Sequence, residues 1–287
     1  MSYPRADPFW ARLLRNPVSV GSLSVLVLVH VLVFVGPLGW RVSPQQTGPL
    51  EALLPPGWGH PLGTDDLGRD ELSRLLYGGQ VTLLVGFAAM LTAIVLGLLV
   101  GATAGFYSGW PDTLLMRLTD TMTAPAFFLI VTAILVLGSS PLTLIAVIGG
   151  TSWMQVARVI YGETLRFKAQ DFVLAAEALG ARRAAILARH VLPQTIPSVV
   201  VSATLGVGFA VLTESAVSYL GLGIQAPTPS WGNILNDGFT YVRQSPWAVL
   251  WPGLTLMIVT LALTLLAETA RDIVDPTLSG VRRGRRP

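Results

Sequence analysis

The chain has 287 residues, 52% of them hydrophobic and 12% charged, against about 25% charged in an ordinary soluble domain. A mean hydropathy of +0.62 places it among membrane proteins before any motif is read. Cysteine is absent, which excludes disulfides, thiolate catalysis and cysteine-ligated metals; the net charge of +3 rests on arginine, Lys168 being the sole lysine.

Six apolar stretches follow in chain order, approximately Val18 to Val35, Val81 to Ala104, Leu118 to Leu137, Leu142 to Val156, Ile196 to Leu212 and Val249 to Leu266. A bilayer core of about 30 Å needs some 20 helical residues. The second, third and sixth stretches pass that test. The fourth and fifth are marginal unless the fourth begins near Gly138 and the fifth runs past Glu214 toward Leu220. The expected fold is all-α, a polytopic bundle of about six transmembrane helices with a cytoplasmic coupling loop. Glycines at Gly97 to Gly105 and at Gly206 and Gly208 let helices approach closely.

The organisation follows from these spans. Residues 1–17 form a cytoplasmic N-terminal segment, 18–35 a first anchor, 36–80 an external loop, 81–270 the main membrane domain with a loop at 170–193, and 271–287 a basic tail. The first stretch exceeds the apolar core of a secretory signal and lacks a small-x-small cleavage site, so it is expected to stay as an anchor. With the N-terminus inside, fourteen basic residues fall on the inner side, among them Arg182, Arg183, Arg189 and five arginines from Arg271 onward. The outer side holds Arg41, Arg69, Arg74 and Arg243. That asymmetry puts both termini in the cytoplasm.

The first outer loop contains "HPLGTDDLGRDELSRLLYGG". Asp65, Asp66 and Asp70 suggest helix capping before a short amphipathic helix carrying Leu72, Leu75 and Leu76. Calcium is the alternative, but the spacing lacks the alternating ligands and terminal glutamate of a calcium loop. The second outer loop contains "PTPSWGNIL", in which Pro227, Pro229, Trp231 and Gly232 predict a rigid turn with the indole at headgroup depth. Asp65, Asp66, Arg69, Asp70 and Trp231 are the candidates for docking an external partner.

Between the fourth and fifth spans lies "AAEALGARRAAILARHVLP", Ala175 to Pro193. Ala175, Ala176, Glu177 and Leu179 favour helix, Gly180 interrupts it, and a second helix resumes at Ala181 until Pro193 and Pro197 limit it. Phe172, Leu179, Ile186 and Leu187 can bury against another surface. Arg182, Arg183 and Arg189 meet water, lipid headgroups or an acidic partner. Glu214, near the outer end of the fifth span, is either bonded to Thr213, Ser215 or Ser218, or exposed to a polar substrate path.

No Gly-x-x-x-x-Gly-Lys-Ser/Thr phosphate loop is present, so any ATP is hydrolysed on another subunit. An intramembrane enzyme needs a paired constellation. His30, His60 and His190 have no partner at metal-ligand spacing, and Ser139, Ser140 and Ser215 lack an evident base. No two inverted halves suggest a stand-alone secondary transporter.

The loop resembles the coupling loop of binding-protein-dependent ABC transporter permeases, with Ala175 and Ala176 as the pattern's two alanines, Gly180 as its glycine and Leu192-Pro193 as its closing pair. Leu174 stands where that pattern has glutamate, and Glu177 supplies a carboxylate one turn later. The outer motifs and "ETARDIVDPTL" at Glu268 to Leu278 are similar to the second, C-type permease of dipeptide, oligopeptide and nickel importers, over nearly the whole chain. The resemblance implies a second homologous permease, two cytoplasmic ABC ATPase domains that bind ATP and Mg, and an external solute-binding protein. It implies a peptide substrate, with nickel or a nickel complex as the alternative, and a bacterial or archaeal plasma membrane, the inner one where there are two. It implies no cofactor on this chain and no nucleic-acid partner.

Overall fold

The computed structural model describes residues 9–123 and 126–274. The basic tail from 275 onward and Arg5 lie outside the described residues. A short α1 (Phe9–Arg15) leads into α2 (Pro17–Gly39), whose start is set by Asn16 accepting from the Val18 amide at 2.9 Å and by Pro17 in the first turn. Then come α3 (Glu71–Tyr107), α4 (Trp110–Thr123), α5 (Ala126–Leu137) and α6 (Pro141–Lys168). The loop carries α7 (Asp171–Ala178) and α8 (Arg183–Ile186), and a π-helical turn (Leu187–Val191) joins it to α9 (Leu192–Tyr219). α10 (Trp231–Thr240) and α11 (Trp247–Val274) complete the chain.

Among the described residues, five helices are long and apolar enough to cross a membrane. The third expected span, 118–137, is divided between α4 and α5, and at 14 and 12 residues neither is long enough to qualify. Three further expectations are corrected. The "LSRLLY" stretch is no separate helix but the first turns of α3, a rod of 37 residues or about 55 Å. Asp70 caps that rod by accepting from Ser73 N at 2.7 Å. Pro193 and Pro197 do not end the loop's second helix: residues 183–219 run as one helical rod. The π turn before Pro193 widens the backbone where the proline ring would otherwise press on a carbonyl one turn back. The fourth and fifth spans are therefore not marginal, each lying within a helix of 28 residues or more.

α3 and α6 run parallel in backbone contact. A Cβ on Gly97 would lie 2.7 Å from Val156, one on Gly101 2.3 Å from the Ala157 carbonyl oxygen, and one on Gly149 2.7 Å from the Ala89 carbonyl oxygen. Four-residue spacing puts Gly97, Gly101 and Gly105 on one face. α9 crosses α3 antiparallel, with Gly86 against Val211 and Gly206 against Met90. α11 runs back beside α9, and Leu13, Val201 and Ala270 close that end of the bundle. Both described chain ends thus lie at the same end as α7 and α8, while residues 41–70 and 220–246 occupy the other.

A methyl at Gly101 must displace main chain, whereas a Cβ on Gly150 meets nothing within 4 Å. Gly101→Ala should therefore destabilise by about 1–3 kcal/mol, and Gly150→Ala should be neutral or stabilise by up to about 1 kcal/mol. Melting of the detergent-solubilised protein checks the opposite signs.

Candidate functional site: an exposed loop and two buried polar clusters

The loop is anchored from within and bare without. Val173, Ile186, Leu187 and Val191 are buried in the same core as Phe106, Trp153 and Ile160, and Ala176 packs against it. Phe172, Leu174 and Leu179, by contrast, are 43%, 53% and 88% exposed. Of the four apolar residues predicted to seek another surface, Ile186 and Leu187 find it inside this chain. α7 ends at a Schellman motif, in which Ala181 N donates to Ala176 O at 3.1 Å and Gly180 N to Glu177 O at 3.0 Å. Gly180 has φ +77°, the left-handed conformation that glycine adopts without penalty. Ala175, Glu177, Ala181, Arg182 and Arg183 are all exposed.

One anchor escaped the sequence reading. Lys168 Nζ donates to Phe106 O at 2.6 Å and to Ser108 Oγ at 2.8 Å, and lies 5.6 Å from the Phe106 ring centroid. An ammonium on the last carbonyls of α3 complements that helix's negative end. The clasp fixes the root of the loop to the longest helix. The signal available beforehand was the lone lysine, placed just where the fourth span ends.

At the other end, Glu214 is fully buried. Ser218 Oγ donates to its Oε1 at 2.7 Å and Ser215 Oγ to its Oε2 at 3.3 Å, and the hydroxyls of Thr82 and Ser230 also reach it. Thr213, the third expected partner, donates instead to Phe209 O at 2.8 Å. The carboxylate therefore gathers hydroxyls from α3, α9 and the start of α10. Beside it, Trp231 is fully buried; its N donates to Thr82 Oγ1 at 3.2 Å and its Nε1 to Leu75 O at 3.0 Å. The indole predicted at headgroup depth lies inside the protein.

The second polar cluster binds the 41–70 loop to α3 and α10. Arg69 Nε meets Asp65 Oδ2 at 2.5 Å, Arg74 pairs with the same oxygen, and Asp237 Oδ2 takes Arg74 Nη2 at 2.8 Å and Arg69 Nη2 at 3.4 Å. Asp237, missed from sequence, carries no local signal because its partners lie more than 160 positions away. Asp70 accepts from Trp40 Nε1 at 2.9 Å and contacts His60 Nδ1 at 2.8 Å, so His60 does have a carboxylate partner. No group of three His, Asp or Glu side chains fit to hold a metal occurs among the described residues. Asp65, Arg69 and Asp70 are buried, and Asp66 keeps partial exposure. Burial, then the charges of Asp65 and Asp237, push the Asp66 carboxyl above its ordinary range.

Residues 77–280 match the family described as binding-protein-dependent transport system inner membrane component, and residues 7–56 match the N-terminal TM domain of oligopeptide transport permease C. The chain belongs to that permease family. It is 33% identical over 268 residues to a dipeptide transport system permease protein of Alkalihalophilus pseudofirmus, covering 93% of this chain and 88% of the relative. It is also 33% identical to an oligopeptide transport system permease protein of Bacillus subtilis, with the same coverage. A glutathione transport system permease protein of Escherichia coli is 35% identical over 274 residues, 95% of this chain and 90% of the relative. The chain is thus a bacterial ABC transporter permease of the dipeptide, oligopeptide and nickel type, consistent with a C-type subunit, and a transport protein rather than an enzyme.

In the permease, Asp65→Asn takes away the oxygen that two buried guanidinium groups share and leaves them Asp237, with Asp66 at 3.9 Å from Arg69. Breaking one partner of a buried ion pair costs about 3–5 kcal/mol. A large fall in the melting temperature of the purified permease is expected, and an unchanged melt would remove the cluster from the stability account.

Proposed function

We propose that this permease forms half of a translocation path for di- or oligopeptides, paired with a second homologous permease, and that an ABC ATPase acts on it through Ala175 to Arg183. Two ATPase domains holding ATP and Mg, and an external solute-binding protein, complete the assembly. The loop end then faces the cytoplasm, as the arginine asymmetry requires. The observation that carries the reading is the pairing of opposites on one short segment: α7 is locked to the core through Val173 and Ala176, yet displays Phe172, Leu174 and Leu179 to solvent. A segment built that way transmits a push. Its apolar side seats in a partner groove while its root, held by Lys168, carries the motion into α3 and α6. Peptide cargo is supported by the named substrates of the relatives, dipeptide, oligopeptide and glutathione. Nickel has no observation of its own in its favour.

Glu214 serves structure in this reading. Its oxygens face hydroxyls of the same chain, so Glu214→Gln should weaken assembly of the complex while lowering uptake of cationic and neutral peptides by the same factor. A selective loss for cationic peptides would assign the carboxylate to the path.

Leu179 touches too little of its own chain to stabilise it. Leu179→Asp should leave insertion and melting unchanged while reducing peptide-stimulated ATPase activity of the reconstituted complex by roughly tenfold, the loss expected when a leucine leaves a buried interface. Arg182→Ala with Arg183→Ala should cost less, because exposed ion pairs contribute about 0–1 kcal/mol. Full stimulation with Leu179→Asp would overturn the coupling role.

A further inference from the structure

Much of the exposed surface of the spans is apolar, as with Val27, Leu28 and Val31 on α2 or Leu91 and Leu99 on α3. One strip differs. On α6, Ser152, Gln155 and Arg158 recur at three-residue spacing, which places them on one side of the helix. Ser152 and Gln155, with Ser202 across on α9, are the polar part of a recess of 240 Å³ whose other walls are apolar, among them Met90, Leu205 and Phe209. Arg158 Nη2 donates to Asp120 Oδ1 of α4 at 2.8 Å and to Thr123 Oγ1 at 3.3 Å. The two charged side chains are 47% and 67% exposed. Arg158 sits ten residues before the end of α6, about 15 Å along the helix.

A charge facing lipid within a span costs about 2.5–3.5 kcal/mol or more. Gln155, a polar amide exposed within the fourth stretch and followed toward the loop end by the exposed Arg158–Asp120 pair, marks a face turned to water rather than to acyl chains. The pair is also loosely held. Only Nη2 of Arg158 is engaged among the described residues, so Nε and Nη1 remain for a planar, two-pronged grip on a carboxylate. An exposed pair contributes little, so exchanging one carboxylate for another is nearly isoenergetic.

We propose that Arg158 is a specificity-determining residue on the translocation path, binding the terminal carboxylate of a passing peptide, with Asp120 the internal carboxylate that the peptide displaces. This rests on the importer reading above. Gln155, Ser152 and Ser202 supply neutral donors and acceptors next to it, suited to the peptide's amides. Asp120 restores a neutral pair once the peptide has left.

The test uses the full complex reconstituted in vesicles with its external binding protein, and compares uptake of a free-carboxylate dipeptide with uptake of its C-terminal amide. For each peptide the variant is divided by wild type, which cancels the binding protein's own preference. Arg158→Gln should lower that ratio for the free-carboxylate peptide roughly tenfold more than for the amide, the loss of one charge-assisted contact. Arg158→Lys should keep most of the difference. The exchange Arg158→Asp with Asp120→Arg should not restore carboxylate uptake, because the cation then hangs from α4. Equal losses for both peptides in Arg158→Gln, or full recovery in the exchanged pair, would overturn the proposal and leave a structural ion pair. Wild-type vesicles that take up neither peptide while hydrolysing ATP would overturn the importer reading, and this proposal with it.

Discussion

The parallel contact between α3 and α6 sets the position of nearly everything else. The glycine face of α3 and the single Gly149 of α6 bring main chain to main chain, with no room for a methyl at Gly101 or Gly149, and dispersion over such a contact replaces the hydrophobic drive that lipid does not supply. Because the helices run the same way, their C-terminal ends finish together, so Lys168 at the end of α6 can reach the last carbonyls of α3. The loop that follows is rooted on two helices rather than one. At the opposite ends the same register brings the start of α3 under α10, where Trp231 fills the space that Gly79 leaves.

Polar groups are sorted by how they are satisfied. Glu214 is closed in by hydroxyls of its own chain, and Asp65, Arg69 and Arg74 are matched with Asp237 at a water-facing end. Both arrangements meet the demand that a buried charge be bonded. The face with Arg158, Asp120 and Gln155 is sorted otherwise: its groups are left open to whatever meets them. The exposed apolar residues of α7 form a third class, apolar groups in a loop where solvent is the default neighbour.

Hydropathy made five of the spans legible, the fourth and fifth stretches only as runs of marginal length. Gly180 was legible too, since a glycine after an alanine-rich helical run is the ordinary mark of a left-handed stop. The extent of the helices was not. Nothing in composition says that Asp70 caps a helix that continues to Tyr107, or that a π turn carries the chain past Pro193. The partners of buried polar groups were equally hidden, because Arg74 and Asp237 meet only when α3 and α10 are in place. Local pattern fixes elements, whereas long-range pairing depends on register between helices.

The unbroken rod from Arg183 to Tyr219 has a mechanical meaning. At 37 residues it is about 55 Å long, with the loop at one end and the hydroxyl-ringed Glu214 near the other. A rotation of about 5° at the loop moves the far end of a rod that long by about 5 Å, close to one helical turn. Had either proline broken the helix, the same rotation would have been absorbed at a hinge beside the loop. The π turn thus preserves leverage, and the crossing with α3, where Gly86 meets Val211 and Met90 meets Gly206, is where such a lever finds its fulcrum.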